Sequence, residues 1–325
     1  LKMANLLGCD LSEIIFTGCG TESNNIAMLG LLREGDHLIT TSYEHPAVLK
    51  TANELELKGV EVTYVKPDQD GIIDSIEIKN AIKENTKLVS VMHVNNELGT
   101  ENSIDEISQI TNDMGVLFHT DAVQSIGKKY INLRDTKIDL LSLSAHKFYG
   151  PKGIGALYMR NGVNLIPTYF GGGQEKDLRP GTENISYIHG MAIALELALK
   201  DCKAWHKKLS NLESLFLKNL KNEKIRYKIN GKNLIGGILN ITFHDILSQD
   251  LVIALDIKGY AISGGSACSS GSVKTSTTLQ EIKMDQNLAQ RTVRISFGKN
   301  LTEEDINGLS KTIATIINKS ILNAK

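Results

Sequence analysis

The strongest constraint on the fold is an alternation of strand-length and helix-length apolar segments over residues 13–159. Short apolar runs bounded by turn residues predict strands at 13–17, 36–41, 60–65, 87–94, 116–119, 138–143 and 155–159. Helical spacing of apolar residues predicts helices at 26–33, 47–58, 76–83 and 104–114. Strands that alternate with helices of this length favour right-handed crossovers. We therefore predict an α/β fold with a large, mostly parallel sheet.

The remaining sequence predicts a second, smaller domain. A glycine-bearing loop at 171–184 precedes a long helical stretch from 185 to about 222. Beyond it, strands are predicted near 224–229, 238–243 and 291–297, and helices near 249–257 and 303–319. We therefore predict a large domain over 1–190, a bridging helix over 191–222, and a small α+β domain over 223–325.

Composition argues against several classes of partner. The 325 residues carry a net charge of −1 with interspersed signs, which gives no electrostatic reason to expect nucleic acid or an anionic membrane. No apolar run reaches membrane-spanning length, and no signal peptide is visible. The four cysteines lack the spacing of a metal site, so no metal is predicted. Cysteines of this kind are typical of reduced thiols in a cytoplasmic protein.

Polar side chains recur where the predicted strands end. In a parallel sheet the carboxyl ends of the strands meet at one edge, and ligands collect there. The turn at 18–25 also lies between a strand and a helix, where free backbone N–H groups and the helix dipole favour an anion. We predict one composite site at this edge. Its candidates are Gly20, Thr21, His45, Asn96, Asp121, Gln124, Ser144, His146 and Lys147.

Lys147 stands in the segment Ser144-Ala145-His146-Lys147, between a predicted strand and a glycine-proline turn. At the rim of a buried sheet, desolvation disfavours the charged form of its amine. A neutral lysine amine can form a Schiff base with a carbonyl, and pyridoxal phosphate is the commonest carbonyl cofactor bound in this way. The alternative is a lysine at a strand end that simply reaches water.

Other candidates could complete a pyridoxal phosphate site. Asp121 could keep the pyridine nitrogen protonated, or it could be the N-cap of a helix that begins at Ala122. His45 could stack on the ring, or it could be an ordinary structural histidine. Donors to the phenolic oxygen or to the phosphate could come from Asn96, Gln124, Thr21, Ser144 and His146.

Cys268 is distinctive among the cysteines because glycines and serines surround it at 263–272. We expect an exposed thiol on a segment with much backbone freedom. Such a thiol can act as a nucleophile once it is deprotonated. The alternative, a buried structural cysteine, is the interpretation we favour for Cys9, Cys19 and Cys202.

Ten motifs follow one another along essentially the whole chain. They are Thr21-Glu22-Ser23, Glu44-His45-Pro46-Ala47-Val48, His93-Val94-Asn95-Asn96-Glu97, Asp121-Ala122-Val123-Gln124, Ser144-Ala145-His146-Lys147, residues 149–157, 171–175 and 181–184, Gly265-Ser266-Ala267-Cys268, and Val293-Arg294-Ile295-Ser296. In this order they resemble the motifs of the NifS/IscS-type cysteine desulfurases, which belong to the class-V aminotransferase group of fold-type I pyridoxal phosphate enzymes.

The resemblance implies a role for each candidate. Lys147 would carry the cofactor, Asp121 would contact the pyridinium nitrogen, and His45 would stack on the ring and perform acid/base work. The ring oxygen would be held by Asn96 and Gln124, and the phosphate by Gly20, Thr21, Ser144 and His146, joined by Thr182 from the other subunit of a homodimer. The substrate would be bound by Arg294, through its carboxylate, and by Asn96. Cys268 would attack the substrate sulfur.

The implied activity converts L-cysteine to L-alanine and leaves a persulfide on Cys268. The sulfur would pass to an acceptor protein such as an iron–sulfur scaffold, or toward tRNA thiolation. The alternatives are a selenocysteine lyase, another class-V enzyme, or an inactive truncated scaffold paralogue.

Two departures from the family pattern are expected to matter. The chain lacks the Tyr-Leu-Asp-Asn-Ala-Ala-Thr-Thr-like stretch with which family members begin, so we expect a truncated start. Cys19 also stands where the family usually has glycine, and its Cβ would strain the phosphate turn if its φ were positive.

Overall fold

The structure is a computed structural model that describes residues 1–264 and 276–323. The described chain forms two compact units. The first comprises Leu1–Pro67, Ile73–Asn95 and Asn102–Cys202. The second comprises Asp68–Ile72, Asn96–Glu101 and the described residues from Lys203 onward. Two short segments of the first half of the sequence therefore belong with the second unit.

A seven-stranded sheet forms the centre of the first unit. Its strands are β1 (Ile14–Thr17), β2 (His37–Thr41), β3 (Glu61–Val65), β4 (Thr86–Ser90), β5 (Leu117–Asp121), β6 (Leu140–Ser144) and β7 (Gly155–Met159). They lie in the order β1-β7-β6-β5-β4-β2-β3. The pairs from β6 to β3 are parallel, and β7 is antiparallel to both of its neighbours. The predicted α/β fold with a mostly parallel sheet is confirmed.

Six helices accompany this sheet in the described part of the first unit. They are α1 (Lys2–Leu7), α2 (Gly20–Leu31), α3 (Pro46–Leu57), α4 (Ser75–Ala81), α5 (Ile104–Asp113) and α6 (Ile185–Lys200). The side chains of Ile26 and Met28 on α2 and Val48 on α3 are buried in one apolar cluster with strand residues. All residues of β2, β6 and β7 are buried, so both faces of these strands are covered.

The second unit contains a four-stranded antiparallel sheet in the order β10-β11-β9-β8. The strands are β8 (Tyr227–Asn230), β9 (Ile238–Phe243), β10 (Ser263–Gly264) and β11 (Thr292–Ser296). The helices, from the end of the first unit onward, are α7 (Cys202–Asn222), α8 (Ser248–Asp256), α9 (Thr277–Glu281), α10 (Gln286–Ala289) and α11 (Glu303–Asn323). Phe216 of α7 packs edge-on against Phe297, with ring centroids 5.9 Å apart, at the centre of this unit's apolar core.

Some predicted element boundaries differ from the structure. The helical stretch predicted over 185–222 is two helices, because Asp201 has φ −100° and ψ 5° and ends α6. Helix α2 begins at Gly20, six positions before the predicted start at Ile26. Its first residues are polar and carry no apolar spacing from which a helix could be predicted. None of the helices in the described residues has the length and apolar character needed to cross a membrane.

Candidate active site

Asp121 and Lys147 lie at the carboxyl ends of neighbouring strands. Asp121 is the last residue of β5, and its register partner on the parallel strand β6 is Ser142. A short 3₁₀ helix, Ala145–Phe148, follows β6 directly and carries Lys147. Tyr149 ends this helix in a left-handed conformation with φ 67°. The sheet thus places the predicted lysine and carboxylate at the same edge.

The carboxylate of Asp121 is buried and receives two hydrogen bonds. The backbone N–H of Val123 donates to Oδ1 at 3.0 Å. The side-chain amide of Asn24 donates to Oδ2 at 2.7 Å. Asp121 therefore has the local turn geometry of a cap, and both of its carboxylate oxygens accept hydrogen bonds. The contact with Asn24, a residue 97 positions away, was not predicted from the sequence.

His45 begins α3 and is placed close to both groups. Its Nδ1 accepts a hydrogen bond from the backbone N–H of Ala47 at 3.1 Å, and Pro46 fills the first helical position. Burial lowers the pKa of His45; the negative charge of Asp121 opposes this shift, and the positive charge of Lys147 adds to it. His45 is therefore a neutral imidazole at neutral pH. Since Nδ1 is an acceptor, the proton resides on Nε2.

The N-terminus of α2 lies beside the end of β6. A Cβ added at Gly20 would come within 2.6 Å of Cγ2 of Val123 and 3.6 Å of Cβ of Ser144. The side chain of the N-cap residue, Cys19, makes no capping hydrogen bond to the first turn of this helix. A hydrogen bond of 3.0 Å joins Oγ of Ser144 to Nδ1 of His146. Backbone donors, a hydroxyl and an imidazole therefore meet at one helix N-terminus, as anion binding requires.

Thr21 and His45 line a cavity of about 330 Å³ between α2 and α3. Thr21 is exposed in the first turn of α2, so its hydroxyl is accessible from this cavity. Gln124 is buried, and its Oε1 accepts a 3.5 Å hydrogen bond from Nζ of Lys128. The Nε2 amide of Gln124 is then the end that can donate to a ligand.

Thr182 lines a separate cavity of about 220 Å³, together with Gly18 and Arg179. Arg179 anchors this loop because its Nε donates to Oε1 of Glu22 at 3.0 Å, forming an ion pair. Oε2 of Glu22 accepts a 2.5 Å hydrogen bond from the backbone N–H of Gly18. The loop that carries Thr182 is thus tied to the first turn of α2.

Arg294 and Asn96 belong to the second unit and are in contact there. NH1 of Arg294 donates to the backbone oxygen of Asn96 at 2.9 Å. The Nε of Arg294 is buried and has no hydrogen-bond partner within the described ranges. Burial raises the pKa of the neighbouring Glu97, whose Oε2 accepts a 2.5 Å hydrogen bond from Ser276; this bond and the positive charge of Arg294 oppose the shift.

Cys268 and Cys19 differ in whether the structure describes them. Cys268 lies outside the described residues, so the structure does not place it. Cys19 has φ −174° and ψ 173°, which is extended backbone open to any residue. Strain in the phosphate turn was expected only for a positive φ, so Cys19 causes none.

The residues of the first unit fit pyridoxal phosphate. The uncapped turn of α2 and the Ser144–His146 pair suit a phosphate group. Buried Asp121 suits a protonated ring nitrogen, and Lys147 suits an aldehyde. No cluster of three or more potential metal ligands occurs in the part of the chain that the structure describes.

Known proteins resemble this chain over nearly its whole length. Residues 1–309 match the family model described as aminotransferase class-V. The chain is 40% identical over 324 residues to a cysteine desulfurase IscS of Dictyoglomus turgidum, an alignment that covers 98% of this chain and 82% of that protein. It is 42% identical over 325 residues to a cysteine desulfurase IscS of Buchnera aphidicola, covering 98% and 80% of the two chains.

Solved structures show the same likeness. A structure described as a NifS-like protein superposes with a TM-score of 0.90 at 36% identity, covering 98% of this chain and 86% of the other. A structure of SspA in complex with cysteine has a TM-score of 0.79 at 38% identity, covering 91% of this chain and 84% of the other.

Proposed function

This chain belongs to the class-V aminotransferase family and within it to the cysteine desulfurases, and we propose that it transfers the sulfur of L-cysteine to Cys268 and releases L-alanine. The observation that carries this proposal is the meeting of Asp121, His45 and Lys147 at one edge of the sheet. A relative solved in complex with cysteine supports the choice of substrate.

The cofactor of this family is pyridoxal 5′-phosphate, which when bound supplies an aldehyde that captures amino groups and a ring that withdraws electrons. In the proposed reaction, the Cys268 thiolate bonds to the substrate sulfur, and the bond between that sulfur and the β-carbon breaks. The electron pair stays with the carbon, which takes up a proton and becomes the methyl group of L-alanine. Cys268 is left as a persulfide, and no outside oxidant or reductant is needed.

The residues of the first unit divide the work of holding the cofactor. Asp121 holds a positive charge at the ring nitrogen, and Lys147 provides the amine for the aldehyde. Gln124 donates to the ring oxygen through Nε2. The phosphate is held by the first turn of α2, through Gly20 and Thr21, and by Ser144 and His146.

His45 moves protons in this scheme. Its Nδ1 is engaged with Ala47, so Nε2–H is a donor directed away from α3. His45 can therefore hydrogen-bond a ligand through Nε2–H. It can act as a base in the other neutral tautomer, with Nδ1 protonated and released from Ala47, which takes up a proton at Nε2 and gives it back from the same atom. Its lowered pKa keeps the imidazole neutral before it acts.

Substrate recognition is assigned to the second unit. A guanidinium fork matches a carboxylate, so Arg294 binds the carboxylate of L-cysteine. The Nε of Arg294 supports this role, because it is a buried donor without a hydrogen bond among the described residues. Its NH1 contact with the backbone of Asn96 fixes the guanidinium plane and leaves the Asn96 side chain for the substrate.

We also assign the active form to a homodimer in which Thr182 reaches the phosphate of the partner subunit. Apolar residues exposed on the first unit support an interface close to the loop of Thr182. Phe170 is 90% exposed, and on α6 Ile185 and Leu197 are 75% and 52% exposed. Light scattering of the cofactor-loaded protein tests this assignment, because a monomer with full cofactor content would contradict it.

We assign the role of sulfur acceptor to an iron–sulfur scaffold protein or to a protein of tRNA thiolation. We place the reaction in the cytoplasm. The thiols of Cys9, Cys19 and Cys202 are free, which is compatible with a reducing compartment. A pull-down with purified scaffold protein, followed by measurement of sulfur transfer, tests the first assignment.

Product analysis of two variants tests the activity. Cys268→Ala is expected to abolish alanine and sulfide production from L-cysteine, and Lys147→Ala to abolish the visible absorbance of the bound cofactor without unfolding the protein. Undiminished alanine production by Cys268→Ala would contradict desulfuration through a persulfide. If Cys268→Ala still produced alanine from L-selenocysteine at the wild-type rate but not from L-cysteine, the protein would instead be identified as a selenocysteine lyase.

A further inference from the structure

Asn24 is a buried polar residue at the site to which the mechanism above gives no role. It lies on α2 four residues after Gly20 and is 1% exposed. Its Nδ2 donates to Oδ2 of Asp121 at 2.7 Å. Its Oδ1 is buried and has no hydrogen bond among the described residues. A buried amide with an unmade hydrogen bond costs free energy, so packing alone gives no reason for asparagine at this position.

The Asp121 carboxylate is held from two sides. The backbone of Val123 donates to Oδ1, and the side chain of Asn24 donates to Oδ2. The backbone donor exists whatever residue stands at position 123, apart from proline. The amide donor depends on asparagine at position 24. The charge of a buried carboxylate is stabilised by such donors, because water is not there to solvate it.

We propose that Asn24 is a positioning residue that fixes the plane of the Asp121 carboxylate toward the ring nitrogen of the cofactor. This rests on the proposed function, since it takes Asp121 as the partner of the cofactor's ring nitrogen. Each carboxylate oxygen can accept about two hydrogen bonds, so the two donors leave an acceptor position for the ring. Asn24 thus acts on the ring nitrogen through Asp121 and not by contact.

The test follows the protonation of the ring nitrogen directly. Protein loaded with pyridoxal phosphate that is ¹⁵N-labelled in the ring is titrated with pH, and the ¹⁵N chemical shift reports whether the nitrogen carries a proton. The variants are Asn24→Leu, which keeps the size of the side chain, and Asn24→Ala, which fits the same space if leucine does not. Asn25→Leu is the matched control, because Asn25 is the next residue of α2 and donates to the backbone of Thr21 instead.

We expect both Asn24 variants to lose the ring-nitrogen proton at a pH about one to two units lower than the wild type. The free energy of a hydrogen bond to a charged group corresponds to a pKa shift of about one to two units. Cofactor dissociation constants should rise by roughly ten- to a hundredfold in parallel. The Asn25→Leu control should keep the wild-type titration. A folded Asn24 variant that no longer retains the cofactor would also support the proposal.

Unchanged ring-nitrogen titration and cofactor affinity in folded Asn24→Leu or Asn24→Ala would overturn the proposal. Asp121→Asn separates this failure from a failure of the proposed function. If Asp121→Asn leaves the titration of the ring nitrogen unchanged, Asp121 is not the partner of that nitrogen. The roles proposed for Asp121 and for Asn24 are then both wrong. If Asp121→Asn shifts the titration and the Asn24 variants do not, only the role of Asn24 is wrong.

Discussion

Nδ1 of His45 accepts a hydrogen bond from the backbone N–H of Ala47 at 3.1 Å, so one imidazole is both the cap of α3 and a group of the candidate site. Asparagine is among the best N-cap residues, and it has no acid/base function near neutral pH. The two roles of His45 can therefore be separated by substitution.

His45→Asn is expected to keep the stability of the protein and to lose activity. Alanine production should fall by about 10²- to 10⁴-fold, the usual contribution of a positioned acid or base. The free energy of unfolding, measured with urea, should stay within about 0.5 kcal/mol, whereas His45→Ala should lose about 1 kcal/mol with the cap. Near wild-type turnover in His45→Asn would make His45 a structural residue only.

The burial of Glu44 should make the free energy of unfolding of the protein depend on pH. Burial raises the pKa of Glu44 to about 8, although the N–H of Met92 and the hydroxyl of Thr41 donate to its Oε1 and oppose the shift. Because the folded-state pKa is raised, the contribution of this carboxyl to stability is complete below its unfolded pKa and is lost as pH rises toward about 8.

Glu44→Gln removes the titration and keeps an acceptor for both donors. The variant should therefore match the wild type near pH 4.5 and become more stable than the wild type at pH 8, by on the order of 3 kcal/mol or more. Urea unfolding at both pH values measures the difference, and Glu77→Gln on the exposed face of α4 is the control. If Glu44→Gln and the wild type were equally stable at pH 8, ionisation of Glu44 would not lower the free energy of unfolding, and the prediction would be wrong.

Asp121→Asn tests the carboxylate at the centre of the site. Asparagine keeps an acceptor for the N–H of Val123 and removes the negative charge. We expect phosphate binding to persist and turnover to fall on the order of 10²-fold or more, corresponding to ~3 kcal/mol of lost electrostatic stabilisation. Steady-state alanine production measures the first effect and cofactor titration the second. A variant with wild-type turnover would leave Asp121 only its role in capping the following turn.

Much of the fold and part of the candidate site could be predicted from local sequence. Largely apolar runs predicted β6 and β7, and both strands are buried on both faces. Asp121 could be found because it ends the predicted strand that became β5, and Lys147 because it lies in the short helix directly after β6. The parallel sheet then requires their strand ends to lie at one edge.

Contacts between distant residues could not be predicted in this way. Asn24 and Asp121 are 97 positions apart, and Glu97 and Ser276 are 179 apart. Periodicity is a local signal, and it contains no information on which polar groups meet after folding. The same holds for Asn96–Glu101, which belongs to the second unit although it follows a strand of the first.

The sulfur of L-cysteine is expected to reach Cys268 and not the other three cysteines. A nucleophilic cysteine must be a thiolate, and two of the described thiols are unsuited to this. Burial, with the charges of Glu13 and Asp10, raises the pKa of Cys9 to about 12. Burial also raises the pKa of Cys202, whose thiol donates to the backbone oxygen of Lys128 at 2.8 Å.

We therefore expect a brief exposure to L-cysteine to add one sulfur, about 32 Da, to Cys268, as resolved by peptide mass spectrometry of the protein alkylated after quenching. Cys268→Ser should still bind L-cysteine at the cofactor and release almost no alanine, because a serine hydroxyl is a far weaker nucleophile toward sulfur than a thiolate. Cys202→Ser is the matched control and should retain wild-type alanine production. Sulfur found on Cys9, Cys19 or Cys202, with Cys268 unmodified, would require a different acceptor and a different geometry for sulfur transfer.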